Sequence, residues 1–394
     1  MKNLIKKYSV IAFLPLAGLL IGCKNENRKE PVSEVETEVV ERMKKENFGT
    51  TPEGEQVELY TLRNRNGMEV EIMTYGGIIK SLTAPDKSGT YEDVVLGFDQ
   101  LSQYTENNPY FGAIIGRYGN RISEGKFSLD GTQYTLATND GANHLHGGER
   151  GFDKVVWEAS DISEKDKASL KLKYVSKDGE EGYPGNLETF VTYTLNDDNS
   201  LKVTYEATTD KTTIVNLTQH SYFNLSGNFD QDILDHQIRI NADTFLPVDP
   251  TLIPTGELRE VAGTPFDFRE AKSVGRDIDQ DTQNDQLRRG LGYDHCWVLN
   301  EGSGQTFAAS AYHPETGRLL EIYTDEPGIQ FYSGNFLDGT LIQKGGEGTY
   351  AQRSGFCLET QHYPDSPNQE GFPSVVLKPG EKYSSSTTFK FLVK

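Results

Sequence analysis

The segment Ser200-Leu201-Lys202-Val203-Thr204-Tyr205-Glu206-Ala207 decides the fold class. Leu201, Val203, Tyr205 and Ala207 are apolar, and the residues between them are polar. A period of two sends alternate side chains to opposite faces of an extended strand, one suited to a core and the other to water. Short runs of β-branched and aromatic residues recur at 57–62, 69–73, 126–129, 169–175, 189–195 and 319–323. Gly, Asn, Asp and Pro punctuate them, and Asn66-Gly67 and Asp130-Gly131 read as hairpin turns. Long helical periodicity is absent, and only residues 268–289 offer a polar stretch for short helices. With no internal repeat and no Pro/Ser-rich linker, the body reads as all-β, one large antiparallel β-sandwich over 47–394.

The chain has 394 residues and a formal net charge of -20. Such acidity argues against nucleic acid, whose phosphates need basic contacts, and points to a small or neutral ligand. Lys2, Lys6 and Lys7 precede an apolar stretch ending Leu20-Ile21-Gly22-Cys23. This is the pattern of a signal peptide over 1–22, and its end resembles the lipobox of bacterial lipoproteins. The resemblance implies a lipidated Cys23 as the only membrane contact, at the bacterial cell envelope, on its periplasmic or its outer face. Residues 24–46 are dense in charge and poor in aromatics, which reads as a solvated tether, with room for a short helix over 34–45. Cys296 and Cys357 then remain, far apart, and read as small buried residues rather than a disulfide framework.

Three polar segments carry the candidate chemistry. Asn143-His144-Leu145-His146-Gly147-Gly148 holds two of the seven histidines. On a strand, positions i and i+2 would share a face, which leaves three readings for His144 and His146. They are ligands of a cupin-like metal site, hydrogen-bonding groups for a polar substrate, or satisfied histidines at a strand end. His220 lies within Thr218-Gln219-His220-Ser221-Tyr222-Phe223-Asn224, whose amides and hydroxyls could orient its ring. Glu359 lies in Phe356-Cys357-Leu358-Glu359-Thr360-Gln361. If Phe356 and Leu358 face the core, Glu359 points the other way, where partial desolvation would make it a competent base. A carboxylate and an imidazole in opposite protonation states are the equipment of proton-transfer catalysis.

Taken in order, these segments and others resemble the aldose 1-epimerase (galactose mutarotase) family. The others include Asp93-Val94-Val95-Leu96-Gly97-Phe98, Gly116-Arg117-Tyr118-Gly119-Asn120-Arg121-Ile122, Gly151-Phe152-Asp153-Lys154, Tyr293-Asp294-His295 and Gln330-Phe331-Tyr332-Ser333-Gly334-Asn335. The match runs from about Tyr60 to the C-terminus, and Gln219, where the family often carries Asn, keeps the amide. The resemblance implies a galactose mutarotase-like supersandwich, a monomer, and interconversion of the α and β anomers of free aldohexoses such as glucose and galactose. It implies Glu359 as general base at the anomeric hydroxyl and His220 as general acid at the ring oxygen. His146 would hydrogen-bond near the anomeric end, and Asn120, Arg121, Asp294 and Gln330 would hold hydroxyls. No metal and no cofactor is required for that chemistry, although an acidic chain leaves room for a bound Ca²⁺. Two further readings remain, a non-catalytic sugar-binding module and a cupin-type metal enzyme. A phosphorylated sugar is disfavoured because basic residues are scarce near these motifs apart from Arg117 and Arg121.

Overall fold

A computed structural model describes residues 41–394 apart from 107 and 301–303. The expected signal peptide, Cys23 and most of the tether lie outside the described residues. Among the described residues strands dominate, and the two α-helices, Leu101–Glu106 and Asp285–Gly290, are short. The second lies in the 268–289 stretch expected to hold short helices, as does the 3-10 turn Val274–Arg276.

Nine antiparallel strands form the largest sheet, in the order Glu158–Asp161, Lys167–Ser176, Leu187–Asn196, Ser200–Thr209, Tyr383–Val393, Arg318–Thr324, Thr306–Tyr312, Gln237–Ile240 and Lys272–Ser273. The period-two segment lies within Ser200–Thr209, between Leu187–Asn196 and Tyr383–Val393. Leu201, Val203, Tyr205 and Ala207 are buried, together with Leu170, Leu172, Val191 and Tyr193 from neighbouring strands. Each such side chain contributes about 1.5–3 kcal/mol when fully removed from water. A one-residue slip would expose the whole set, so the core specifies the register. Asp130 and Gly131 both take positive φ, 51° and 77°, in the hairpin joining Lys126–Leu129 to Thr132–Thr135.

The tether expected to run to residue 46, and the helix allowed over 34–45, need correction at their C-terminal end. Met43–Thr50 is the edge strand of a five-stranded sheet and pairs with Gln56–Arg63, Met43 opposite Leu62. Its charge density misled the reading: an edge strand tolerates charge on its open side, and Lys45 pairs across the strands with Glu58 at 2.6 Å. Arg42 is tied to the Asp197 carboxylate at 2.6 and 3.0 Å.

The sheet that builds the site has the order Arg259–Glu260, Thr244–Leu246, Asp294–Val298, Gly328–Tyr332, Cys357–Gln361. Directly opposed residues share a face of an antiparallel sheet. Register sets Glu359 opposite Gln330 and Gln330 opposite Cys296. The adjoining row sets Cys357 opposite Tyr332 and Tyr332 opposite Asp294. Glu359, Gln330, Asp294 and Cys357 therefore share a face, while Leu358 and Phe331 join the main core on the other.

Candidate active site

His220 ends the short strand Thr218–His220, whose partner is Ala113–Ile115. That placement brings His220 Nε2 to 3.6 Å from Glu359 Oε1, with both side chains buried. The ring of His146 lies at 5.1 Å from that of His220, near perpendicular to it. Around them is a cavity of about 190 Å³ lined by Asn120, Arg121, His146, His220, Asp294 and Glu359, with aromatic walls from Tyr110, Tyr222, Tyr332 and Phe336. A roomier depression between Gly263 and Gln280 contains none of the expected site residues.

Gln330, the seventh expected residue, stands behind Asp294 and donates its Nε2 to Asp294 Oδ1 at 2.7 Å. Arg121 donates through Nε to Asp140 Oδ2 at 2.8 Å, and its Nη1 lies 3.8 Å from Asp294 Oδ2. Glu359 Oε2 and Gln330 Oε1 are buried without a hydrogen-bond partner among the described residues. Leaving a buried acceptor unsatisfied costs about 1–3 kcal/mol, and of the two only Glu359 lines the cavity, so its Oε2 is placed to take a ligand hydroxyl. Arg117 faces elsewhere: its guanidinium braces the carbonyls of Pro184 and Gly185 at 2.8 and 3.0 Å.

His144 and His146 part company. The strand ends at Leu145 and His146 takes φ 51°, so the i, i+2 rule for one face does not apply. His144 is fully buried, Nδ1 against Ala137 O at 2.7 Å and Nε2 against the Tyr183 hydroxyl at 2.6 Å. Of the three readings, satisfied structural histidine fits His144 and substrate-facing group fits His146. Gly147 then allows a close backbone crossing, since a Cβ there would sit 1.9 Å from Gly116 O.

Electrostatics set the resting protonation. Burial raises the Glu359 carboxyl well above its usual range, the facing Asp294 adds to this and Arg121 opposes it. Burial pushes His220 down to about 4 and His146 well below its ordinary value, with His220 and Arg121 adding to the effect at His146. Burial thus favours the uncharged form of both groups, and moving a proton from the Glu359 carboxyl to His220 leaves the net charge of the buried site unchanged.

Donor atoms of His146, His220 and Glu359 lie within 4.8 Å of one another, which invites a test of the metal reading. The backbone N–H of Asn120 donates to His146 Nδ1 at 3.2 Å, placing the ring hydrogen on Nε2. An N–H aimed into the cavity donates to a ligand oxygen and has no lone pair for a cation, so the cupin-like set fails at His146. Nor do these groups, or the second set of Asp235, His236 and His313, form the oxygen-rich cage that Ca²⁺ takes; the room left for Ca²⁺ finds no support among the described residues.

A buried carboxyl facing a buried imidazole, ringed by an amide, a guanidinium and a second carboxylate suited to hydroxyls, define a sugar isomerase that works by moving protons. Comparison with known proteins narrows the class. The family model described as aldose 1-epimerase matches residues 58–390. Galactose mutarotase of Bos taurus is 49% identical over 347 residues, 88% of this chain and 97% of the relative. Aldose 1-epimerase of Escherichia coli K12 is 41% identical over 87% of this chain and 97% of its own length. The crystal structure of galactose 1-epimerase from Lactobacillus acidophilus superposes with a TM-score of 0.78 at 29% identity, covering 89% of this chain and 98% of that one. The chain belongs to the aldose 1-epimerase family. It is an isomerase that interconverts the α and β anomers of free aldohexoses, a reaction that needs no cofactor.

Three groups at the site escape a reading of the motifs. Tyr110, with φ 64°, lays its ring 4.7 Å from His146 and 5.8 Å from His220, and nothing in Pro109-Tyr110-Phe111 distinguishes it from core aromatics. Asp140 holds Arg121 from a loop between the recognisable motifs. Cys357 reads as a mere neighbour of Glu359, yet its Sγ lies 3.6 Å from His220 Nδ1. The i, i+2 spacing to Glu359 was the available signal.

Proposed function

We propose that Glu359 is the general base and His220 the general acid of hemiacetal ring opening. The observation carrying this reading is the 3.6 Å separation of His220 Nε2 and Glu359 Oε1 in a buried cavity. Glu359, through its unpartnered Oε2, takes the proton from the anomeric hydroxyl as the C1–O5 bond breaks. His220, as imidazolium, delivers its Nε2 proton to O5, which gives the open aldehyde. Rotation about C1–C2 turns the other carbonyl face to O5, and the two transfers run in reverse to close the other anomer. Each positioned acid or base supplies about 10²–10⁴-fold. His146 donates Nε2–H to oxygen near the anomeric end. Asn120, Arg121 and the Asp294 carboxylate, held by Gln330, orient the remaining hydroxyls. Glucose and galactose are the proposed substrates, galactose being the sugar in the names of the mutarotase relatives.

The same proposal covers location and assembly. The lipobox-like Leu20-Ile21-Gly22-Cys23 supports a Cys23-lipidated protein of the bacterial cell envelope, and the family resemblance alone supports a monomer. Radiolabelled palmitate should enter the wild type and not a Cys23→Ala variant; equal labelling, or none in either, would remove the anchor.

Polarimetry of freshly dissolved α-D-glucose and α-D-galactose, with and without EDTA, tests the chemistry. Acceleration that survives EDTA is the expected result. A folded protein that binds either sugar without accelerating its mutarotation would be a sugar-binding module instead.

A further inference from the structure

We propose that Asp365 is a positioning residue for sugar binding, clamping the backbone at Arg121 and tying it to the strand that carries Glu359. The inference rests on Arg121 being a sugar-binding group. Asp365 lies in the loop that leaves the strand Cys357–Gln361. Its backbone N–H donates to Arg121 O at 2.8 Å, and its Oδ1 accepts from the N–H of Ser123 at 2.9 Å. The carboxylate is itself held, since Asn368 Nδ2 donates to Oδ1 at 2.7 Å and Gln369 Nε2 to Oδ2 at 3.1 Å. Asp365 is buried, and its φ of 59° lies in the left-handed region, which Asp tolerates better than most residues.

A second tie runs beside the first. Tyr118 donates its hydroxyl to Tyr363 O at 3.0 Å and accepts from the N–H of Ser366 at 3.1 Å. Asn216 bridges the same two segments, accepting from the N–H of His362 at 2.9 Å and donating to Gly119 O at 3.1 Å. Asn120 is held from elsewhere: its N–H donates to His146 Nδ1 at 3.2 Å, and its carbonyl accepts from the His146 N–H at 3.1 Å. The grip of Asp365 therefore falls on Arg121, whose backbone otherwise pairs with Leu145. A guanidinium on a long side chain orients a hydroxyl only as well as its backbone is placed, and small displacements of a positioning group are costly. Glu359 precedes the loop and is fixed in the sheet opposite Gln330, so loosening the clamp weakens binding and leaves the base where it is.

The test measures KM and kcat by polarimetry with α-D-glucose and α-D-galactose, in wild-type protein and in an Arg121→Ala background. Asp365→Gly permits the left-handed backbone without strain and removes the carboxylate. It should raise KM about three- to tenfold, the scale of one hydrogen bond, and change kcat less than about twofold. Asp365→Asn keeps an oxygen for the Ser123 N–H and should stay within about twofold of wild type in both. In the Arg121→Ala background Asp365→Gly should raise KM no further. A contact that only stabilised the fold would lower Tm or the folded fraction and leave KM where it was. Asn368→Ala, at an exposed position, serves if the glycine variant does not fold, and should raise KM about two- to threefold by freeing the carboxylate. Wild-type KM in both Asp365→Gly and Asn368→Ala, an asparagine variant no better than glycine, or an equal rise in KM with and without Arg121 would each overturn the proposal. Wild-type KM in Arg121→Ala alone would sink the reading of Arg121 as a sugar-binding group, and the clamp's role with it.

Discussion

Asn120 gives its backbone N–H to Nδ1 of His146 at 3.2 Å, so His146 can offer the cavity only Nε2–H. Its proposed role is that of a neutral donor, and burial favours the neutral ring. His146→Gln, which keeps an N–H donor, should lose about 10-fold in kcat/KM, and His146→Leu about 10²-fold or more. EDTA should leave the wild-type rate unchanged. Full loss on chelation, restored by Zn²⁺, would show that the tautomer is wrongly assigned.

Glu359→Gln should lower kcat by about 10²–10⁴-fold while sugar still binds. The same variant should be more stable than wild type at neutral pH. Because the folded state raises the Glu359 pKa, it binds that proton more tightly than the unfolded chain does. The resulting stability is full below the unfolded pKa, about 4.3, and is lost as pH rises toward the folded value. Gln cannot ionise, so it escapes that loss, worth about 1.4 kcal/mol per pKa unit. Thermal unfolding at pH 7 checks this, and a lower Tm for Glu359→Gln would contradict it.

The profile of kcat/KM against pH should be bell-shaped. Its acid limb reports a second proton on the pair, taken by His220 and lying near 4. Its alkaline limb reports loss of the last proton, held by Glu359, above the ordinary carboxylate range. Stopped-flow polarimetry across pH would show both limbs. A profile with one limb only would mean that the two groups do not act as acid and base.

Asp140 orients the arginine that flanks Asp294. Asp140→Asn should raise KM for sugar about three- to tenfold and change kcat less, since it loosens a binding group and leaves the acid and base in place. A fall in kcat with unchanged KM would place Arg121 in the chemical step instead.

His144→Phe should cost about 2–3 kcal/mol of stability, because it orphans the Tyr183 hydroxyl and Ala137 carbonyl. Turnover per folded molecule should stay near wild type. Urea unfolding combined with active-site titration separates the two effects, and a large loss of turnover in folded protein would contradict the structural role.

Much of the architecture was legible because burial alternates along strands as the apolar residues do. Leu201, Val203 and Tyr205 were placed inward from their spacing alone, and the same rule aimed Glu359 away from the core. Where the backbone leaves regular geometry, spacing stops being a guide. His146 in a left-handed conformation broke the pairing inferred with His144, and Tyr110, equally left-handed, carried no signal at all. Met43–Thr50 was missed for another reason: an edge strand needs no apolar face of its own. Convergence of Asn120, His220, Asp294 and Glu359 came from family motifs, because their meeting depends on register between strands far apart in the chain.

That register has a practical corollary. Glu359 and Asp294 meet only when three strands have paired, and His220 joins them only when Thr218–His220 has docked on Ala113–Ile115. No contiguous fragment shorter than the span from Pro109 to Glu359 contains the whole cavity. Catalysis therefore reports assembly of the sandwich: during refolding, activity should return last, in step with burial of the final sheet and never ahead of it.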